Sequence, residues 1–200
     1  MMIHNPLFIK SKERSLSNRQ KKALADLEGL IKSGTPQLTM SEIATNLNVS
    51  LRDLYEIAST KEELILLAVE SLLMKIGADK EKAINLTDSP IAKIYLLMEQ
   101  IEMQREILLV SQKTFKRING LKDFMDSYEN YYIEVIKKYL EKAIISNEIV
   151  SIDTSAMAII LSGLSRDLDK KYLKKEDKMI PSNALHKIIE VIFKGLKITE

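Results

Sequence analysis

Between Thr39 and Lys61 the chain reads TMSEIATNLNVSLRDLYEIASTK, and several of these side chains have the chemistry to meet a nucleic acid. Arg52 carries a planar fork of donors that matches guanine O6 and N7 in a major groove. Tyr55 offers a hydroxyl for a phosphate or a ring for a thymine methyl. Lys61 puts an ammonium where a following helix would also point its first backbone N–H groups, a combination suited to a phosphate. Leu51 and Glu56 share the exposed side of the same short segment as Arg52 and Tyr55. Thr39 and Ser50 complete the set, as hydroxyls at the starts of the two segments that hold these groups.

Positioning these side chains requires short helices with defined ends. Thr39 precedes Glu42 by three residues, Ser50 precedes Asp53 by three, and Thr60 precedes Glu63 by three. Each pair has the spacing of a capping box, in which the hydroxyl and the acid satisfy the first amides of a helix reciprocally. Ile43, Ala44 and Leu47 form the apolar stripe of the first helix, and Leu54 with Ile57 or Ala58 that of the second. Between them only Asn48 and Val49 are available for a turn. Asn tolerates a left-handed backbone, so the sequence predicts a sharp corner, with Ala44 small enough to let the two helices approach. Ahead of this pair, Ala23, Leu24, Leu27, Leu30 and Ile31 predict a helix from a cap at Ser17 or Asn18 to Ser33, ended by Gly34 and Pro36. Gly29 lies inside that helix, where close packing is the expected reason for it.

This run resembles the DNA-binding segment of the TetR family of transcriptional regulators, over about residues 19 to 75. In that family the recognition helix carries a Y-x-x-F-x-x-K pattern. Tyr55 and Lys61 stand at its tyrosine and lysine, Ala58 takes the aromatic position, and Asn48 takes the place of the usual turn glycine. The resemblance implies an all-α fold: a three-helix DNA-binding head with a helix-turn-helix at residues 19–76, then a helical effector-binding and dimerisation body at 77–200. It also implies a dimeric repressor on a palindromic operator, released by a small, largely apolar effector of unspecified class. A constitutive helix-turn-helix protein without an effector pocket is the alternative.

Charge sits oddly for a DNA-binding head. From Ala23 to Lys80 nine acids face five bases, whereas Met1 to Lys22 holds six bases, Lys10, Lys12, Arg14, Arg19, Lys21 and Lys22, against Glu13 alone. Residues 1–18 therefore read as a basic arm that could follow DNA backbone and offset the acidic head, or equally as a solvated tail.

After Lys61 the apolar residues Leu64, Ile65, Leu67, Ala68, Leu72, Leu73 and Ile76 predict a connecting helix of roughly four turns. The stretch 77–90 is more polar and ends in a Ser89-Pro90 helix start, which suggests the domain boundary. Long helical runs follow from Ile91 to Phe115 and from Leu121 to Ser146. A further helix is capped by Asp153, and a last one carries Leu185 to Leu196. In the middle helices Tyr95, Met98, Met103, Gln104 and Phe115, with Met125, Tyr128, Tyr131 and Tyr132, are large or soft side chains of the kind that line a mostly apolar pocket. A packed core would use the same residues. The last two helices carry more apolar surface than one neighbour can cover. Ile160, Gly163, Leu164, Ile188, Ile192 and Phe193 are the expected homodimer interface, which in regulators resembling this one is a four-helix bundle.

Composition narrows the rest. At 200 residues and 46% apolar, without cysteine, the chain is expected to be a soluble cytoplasmic protein with no disulfide framework, thiolate metal site or membrane span. His4 and His186 are its only two histidines and lie far apart, so neither a histidine metal site nor a triad can be assembled; His186 and Glu190, four apart, read as a helix-surface pair. With no Gly-rich phosphate loop either, the sequence predicts no enzyme and no cofactor.

Overall fold

The computed structural model describes residues 16–33, 38–114, 121–172 and 184–198. Among these residues all regular structure is helical: α1 Asn18–Lys32, α2 Met40–Asn46, α3 Leu51–Ile57, α4 Lys61–Leu86, α5 Pro90–Thr114, α6 Leu121–Ile145, α7 Thr154–Tyr172 and α8 Ala184–Leu196. The fold is all-α with an N-terminal helix-turn-helix head. Gly34, Pro36, residues 1–15 of the basic arm, and Pro181 lie outside the described residues.

Local signals set the helix starts. Ser17 with Gln20, Thr39 with Glu42 and Ser50 with Asp53 each form a complete capping box at the head of α1, α2 and α3. At α4 the Thr60 hydroxyl accepts from the Glu63 amide, while the Glu63 carboxylate reaches back one residue further than in the other boxes, to the Ser59 amide. Ser89 caps α5 through the Ala92 amide, with Pro90 in the first turn, and Asp153 accepts from the Ser155 and Ala156 amides ahead of α7. Each such cap stabilises its helix by about 1 kcal/mol.

The chain forms two compact units: Met1–Ala78 with Met103–Ser127, and Asp79–Glu102 with Tyr128–Glu200. In the first, Ala23, Leu27 and Ile31 of α1, Ile43 and Ala44 of α2, and Leu54 and Ile57 of α3 are buried together with Leu64, Ile65, Ala68, Val69, Leu72 and Leu73 of α4. In the second, Ile94, Met98, Ile136, Leu140, Ala143, Ile149, Ala158, Leu161, Ile189 and Phe193 are buried. The expected stop of the connecting helix near Ile76 is not seen, because Gly77 removes one side chain but no backbone donor, and α4 continues to Leu86. Gly29 is also not explained by packing: a Cβ there would meet nothing within 4 Å. None of the described helices is long and apolar enough to cross a membrane.

Candidate nucleic-acid interface and cavity

The corner between α2 and α3 is built as the sequence demands. Leu47 is the α2 C-cap, Asn48 takes φ 51°, and the Val49 amide donates to the Ala44 carbonyl at 3.0 Å. A left-handed residue reverses the chain within a single step, which other residues adopt at a cost of about 1–2 kcal/mol. The Ser50 cap then starts α3. Leu54 and Ile57 face inward and are buried, so Leu51, Arg52, Tyr55 and Glu56 are left on the exposed face. Leu51 and Tyr55 are apolar or aromatic surface held open to solvent, 40% and 51% exposed. Lys61 is the first residue of α4.

Thr39 and Ser50 are fully engaged as caps. The Ser50 hydroxyl donates to the Asp53 carboxylate at 2.6 Å while accepting from the Asp53 amide at 3.1 Å. Thr39 does the same with Glu42, at 2.8 and 3.2 Å. Hydrogen bonds from Ser50, side chain first and then backbone, hold the Asp53 carboxyl below its ordinary range, with help from the nearby Arg19 charge. For Glu42 the backbone bond from Thr39 has the largest effect in the same direction.

Two further residues join this face, and neither was visible as a site residue in the sequence. Arg19 of α1, counted there only among the bases of Met1 to Lys22, pairs with Asp53 at 3.2 Å. Gln20 donates from Nε2 to Glu56 Oε2 at 3.2 Å. Both act across more than thirty residues of chain, so only the way α1 lies against α3 could have exposed them.

The acidic excess of the head also has a structural resolution. Glu28 is buried and bonded to Ser71 Oγ and Lys75 Nζ. Glu42, Asp53 and Glu63 sit at helix N-termini, where a carboxylate offsets the positive end of the helix dipole. Burial pushes the Glu70 carboxyl up to about 7, so it is partly protonated at neutral pH.

The side chains expected to line an effector pocket are divided between the two units. Tyr95, Met98, Tyr128, Tyr131 and Tyr132 fall in the second, Met103, Gln104 and Met125 in the first, and Phe115 lies outside the described residues. In the second unit Gln100 Nε2 donates to the Tyr132 hydroxyl at 2.7 Å, and the Tyr128 and Tyr132 hydroxyls lie 3.2 Å apart. The Tyr132 ring meets Tyr128 and Tyr131 edge-on, at 4.9 and 5.2 Å between centroids. Desolvation raises the Tyr131 phenol well above its ordinary value. In the first unit Gln104 is buried and donates to the Leu73 carbonyl at 2.8 Å, whereas Met103 is exposed.

A half-open cavity of about 400 Å³ lies in the second unit beside Tyr95, lined also by Ser89, Ile91, Ala92, Glu148, Ile149, Phe193 and Lys197. Tyr95 is thus the one expected pocket residue on its wall. The Tyr95 ring lies 5.0 Å from His186 and 5.7 Å from Phe193 between centroids. Glu190 pairs with Lys194 at 2.7 Å, so the helix-surface partner of Glu190 is this lysine. Of the residues expected between protomers, Phe193 is buried within its own chain, while Ile160 is 52% exposed and Gly163, Leu164, Ile188 and Ile192 are half-buried. Val191 and Ile159, 70% and 58% exposed, extend the uncovered apolar surface of α7 and α8. No group of His, Asp and Glu among the described residues could hold a metal ion.

Among the described residues a helix-turn-helix head, α1 to α3, is followed by five further helices, an all-α class of fold whose head has the helix order of a helix-turn-helix DNA-binding motif. Within that class the fold is the one shared by the TetR family. It is similar to a transcriptional regulator from Cytophaga hutchinsonii, with a TM-score of 0.73 at 16% identity over 91% of this chain and 100% of that one. A TetR/AcrR-family regulator from Thermobifida fusca superposes with a TM-score of 0.68 at 15% identity, over 91% and 100%. AibR, in complex with isovaleryl coenzyme A and operator DNA, matches with a TM-score of 0.58 at 17% identity, over 90% and 98%. No protein-family model matches the sequence, and comparison with curated proteins gives no match.

Proposed function

We propose that this protein is a sequence-specific DNA-binding transcription regulator, acting in the cytoplasm as a homodimeric repressor that a small, largely apolar effector releases from a palindromic operator. The observation that carries the reading is the exposed face of α3, where Leu51, Arg52 and Tyr55 stand outward on a helix fixed at its start by a capping box and from behind by Leu54 and Ile57. Arg52 is the base-reading side chain, Tyr55 and Lys61 bind phosphate, and the basic arm adds backbone affinity. The apolar surface around Ile160 and Val191 supports pairing with a second copy, which would double the recognition helix and require half-sites about 34–36 Å apart.

The effector part of the reading is supported by the Tyr95 cavity, whose size falls in the range of roughly 300–1,000 Å³ common for small-molecule sites, and by the acyl-coenzyme A bound in AibR. Because α4 is one unbroken helix from Lys61 to Leu86, a tilt could be carried along it to the recognition helix. A constitutive DNA binder is the second reading. It is favoured by the tight packing of Met98, Tyr128 and Tyr132, which are buried with both hydroxyls already bonded.

Selection of bound sequences from randomised duplex with the full-length protein tests the central claim. A palindromic motif is expected, and Arg52→Ala should erase a G·C preference in each half-site, at about 1–3 kcal/mol per base pair. Recovery of no motif would refute sequence-specific binding. A panel that includes acyl-coenzyme A thioesters then decides between the two readings: release of the selected duplex by any member supports the effector, and indifference to all supports the constitutive binder.

A further inference from the structure

Glu56 places a carboxylate on the very face that would meet a polyanion, and the way it is held gives it a purpose. Its Oε1 accepts from Arg52 Nε at 3.1 Å and its Oε2 accepts from Gln20 Nε2 at 3.2 Å. Gln20 is itself fixed, because its Oε1 accepts from the Ser17 amide at 2.8 Å and its own amide donates to Ser17 Oγ at 3.3 Å. A continuous chain of bonds therefore runs from the N-terminus of α1 to the guanidinium on α3. A second tie between the same helices, from Arg19 to Asp53, lies three residues earlier on α3 than Glu56.

Arg52 needs such support. Its side chain is 88% exposed and is held by its bond to Glu56, and a long mobile side chain loses freedom when it docks on a base. Engaging Nε with Glu56 leaves the two terminal Nη groups as the open edge of the fork. That edge can present two parallel donors end-on to guanine O6 and N7. The carboxylate has the opposite effect on DNA as such, since it repels phosphate wherever the protein lands.

We propose that Glu56 is a positioning residue for sequence readout: held by Gln20, it orients the Arg52 guanidinium toward guanine, raising specificity while lowering affinity for DNA in general. The inference rests on the reading of Arg52 as the base-contacting residue, and its test separates the two. Discrimination is the ratio of dissociation constants for the selected duplex and for one altered only at the G·C pair that Arg52→Ala identifies. For Glu56→Ala it should fall about tenfold, while affinity for an unrelated duplex rises roughly two- to fivefold at low salt. Glu56→Gln keeps an acceptor for Arg52 Nε but lacks the charge. It should retain discrimination within about twofold of the parent and show the same rise in unrelated binding. Both changes are on the surface, and equal thermal midpoints would establish that each variant is folded.

The outcomes divide cleanly. If Arg52→Ala leaves the motif unchanged, the reading of Arg52 fails and the positioning role fails with it. If Arg52→Ala erases a position that Glu56→Ala leaves intact, only the positioning role is overturned. Equal loss in Glu56→Gln and Glu56→Ala would overturn it in favour of charge alone. Loss at a different base pair would overturn it in favour of a direct contact, such as a bond accepted from cytosine N4.

Discussion

Lys75→Met should cost this protein more than its surface position suggests. The ammonium lies 2.8 and 2.6 Å from the two oxygens of Glu28, and Ser71 Oγ donates to Oε1 at 2.7 Å. The two partners are unequally placed, the lysine side chain being 57% exposed and the glutamate 7%. Removing the lysine leaves a carboxylate enclosed between α1 and α4 with one hydroxyl donor. Breaking a buried pair from one side costs about 3–5 kcal/mol, and the partial exposure of Lys75 reduces this to about 2–3 kcal/mol. For a chain of this size that is a fall in thermal midpoint of about 5–10 °C. Glu28→Met combined with Lys75→Met removes both charges and leaves apolar groups of similar length, so the double variant should recover most of the loss. Thermal unfolding followed by circular dichroism at fixed protein concentration measures all three. A single variant within about 0.5 kcal/mol of the parent, or a double variant no more stable than the single, would refute the argument.

Glu70 gives a pH prediction. Its Oε1 is buried without a partner among the described residues, and burial raises the carboxyl from 4.5 to about 7, so over that interval the folded protein holds a proton that the unfolded chain has released. Stability should therefore fall as pH rises through this window, and Glu70→Gln should abolish the fall, melting higher than the parent at pH 8 and much like it at pH 4; parallel curves of melting temperature against pH would contradict this. At the corner, Asn48→Gly should be tolerated, whereas Asn48→Val should lose about 1–2 kcal/mol in denaturant titration because φ is 51°; equal midpoints would exclude strain at this residue. For assembly, Val191→Glu with Ile160→Glu should give a folded monomer by light scattering, and a persistent dimer would place the contact elsewhere.

How much was legible in the sequence follows from the range of each interaction. The caps at Thr39, Ser50 and Thr60, the corner at Asn48 and the stripes that bury Ile43, Leu54 and Leu64 depend on residues within four positions of one another, and spacing alone reveals them. The Glu28–Lys75 pair, separated by 47 residues, and the Gln20–Glu56 bond, separated by 36, leave no periodic trace. Middle-helix chemistry was legible in kind but not in place. Tyrosines and methionines announce a large interior with polar handles, yet whether a ring walls a cavity or fills a core depends on neighbours from other helices. Tyr95 reaches a cavity because Phe193 and His186 of α8 come beside it, while Tyr128 and Tyr132 turn their hydroxyls toward each other and toward Gln100. The same dependence governs charge. A count of acids in the head suggests repulsion from DNA, but Glu28 is neutralised by a lysine of α4, three others are bound to helix amides, and Glu56 is turned onto Arg52. A net charge summed along the chain is therefore a poor guide to the potential at the DNA-facing surface, which is set by the side chains that have no internal partner.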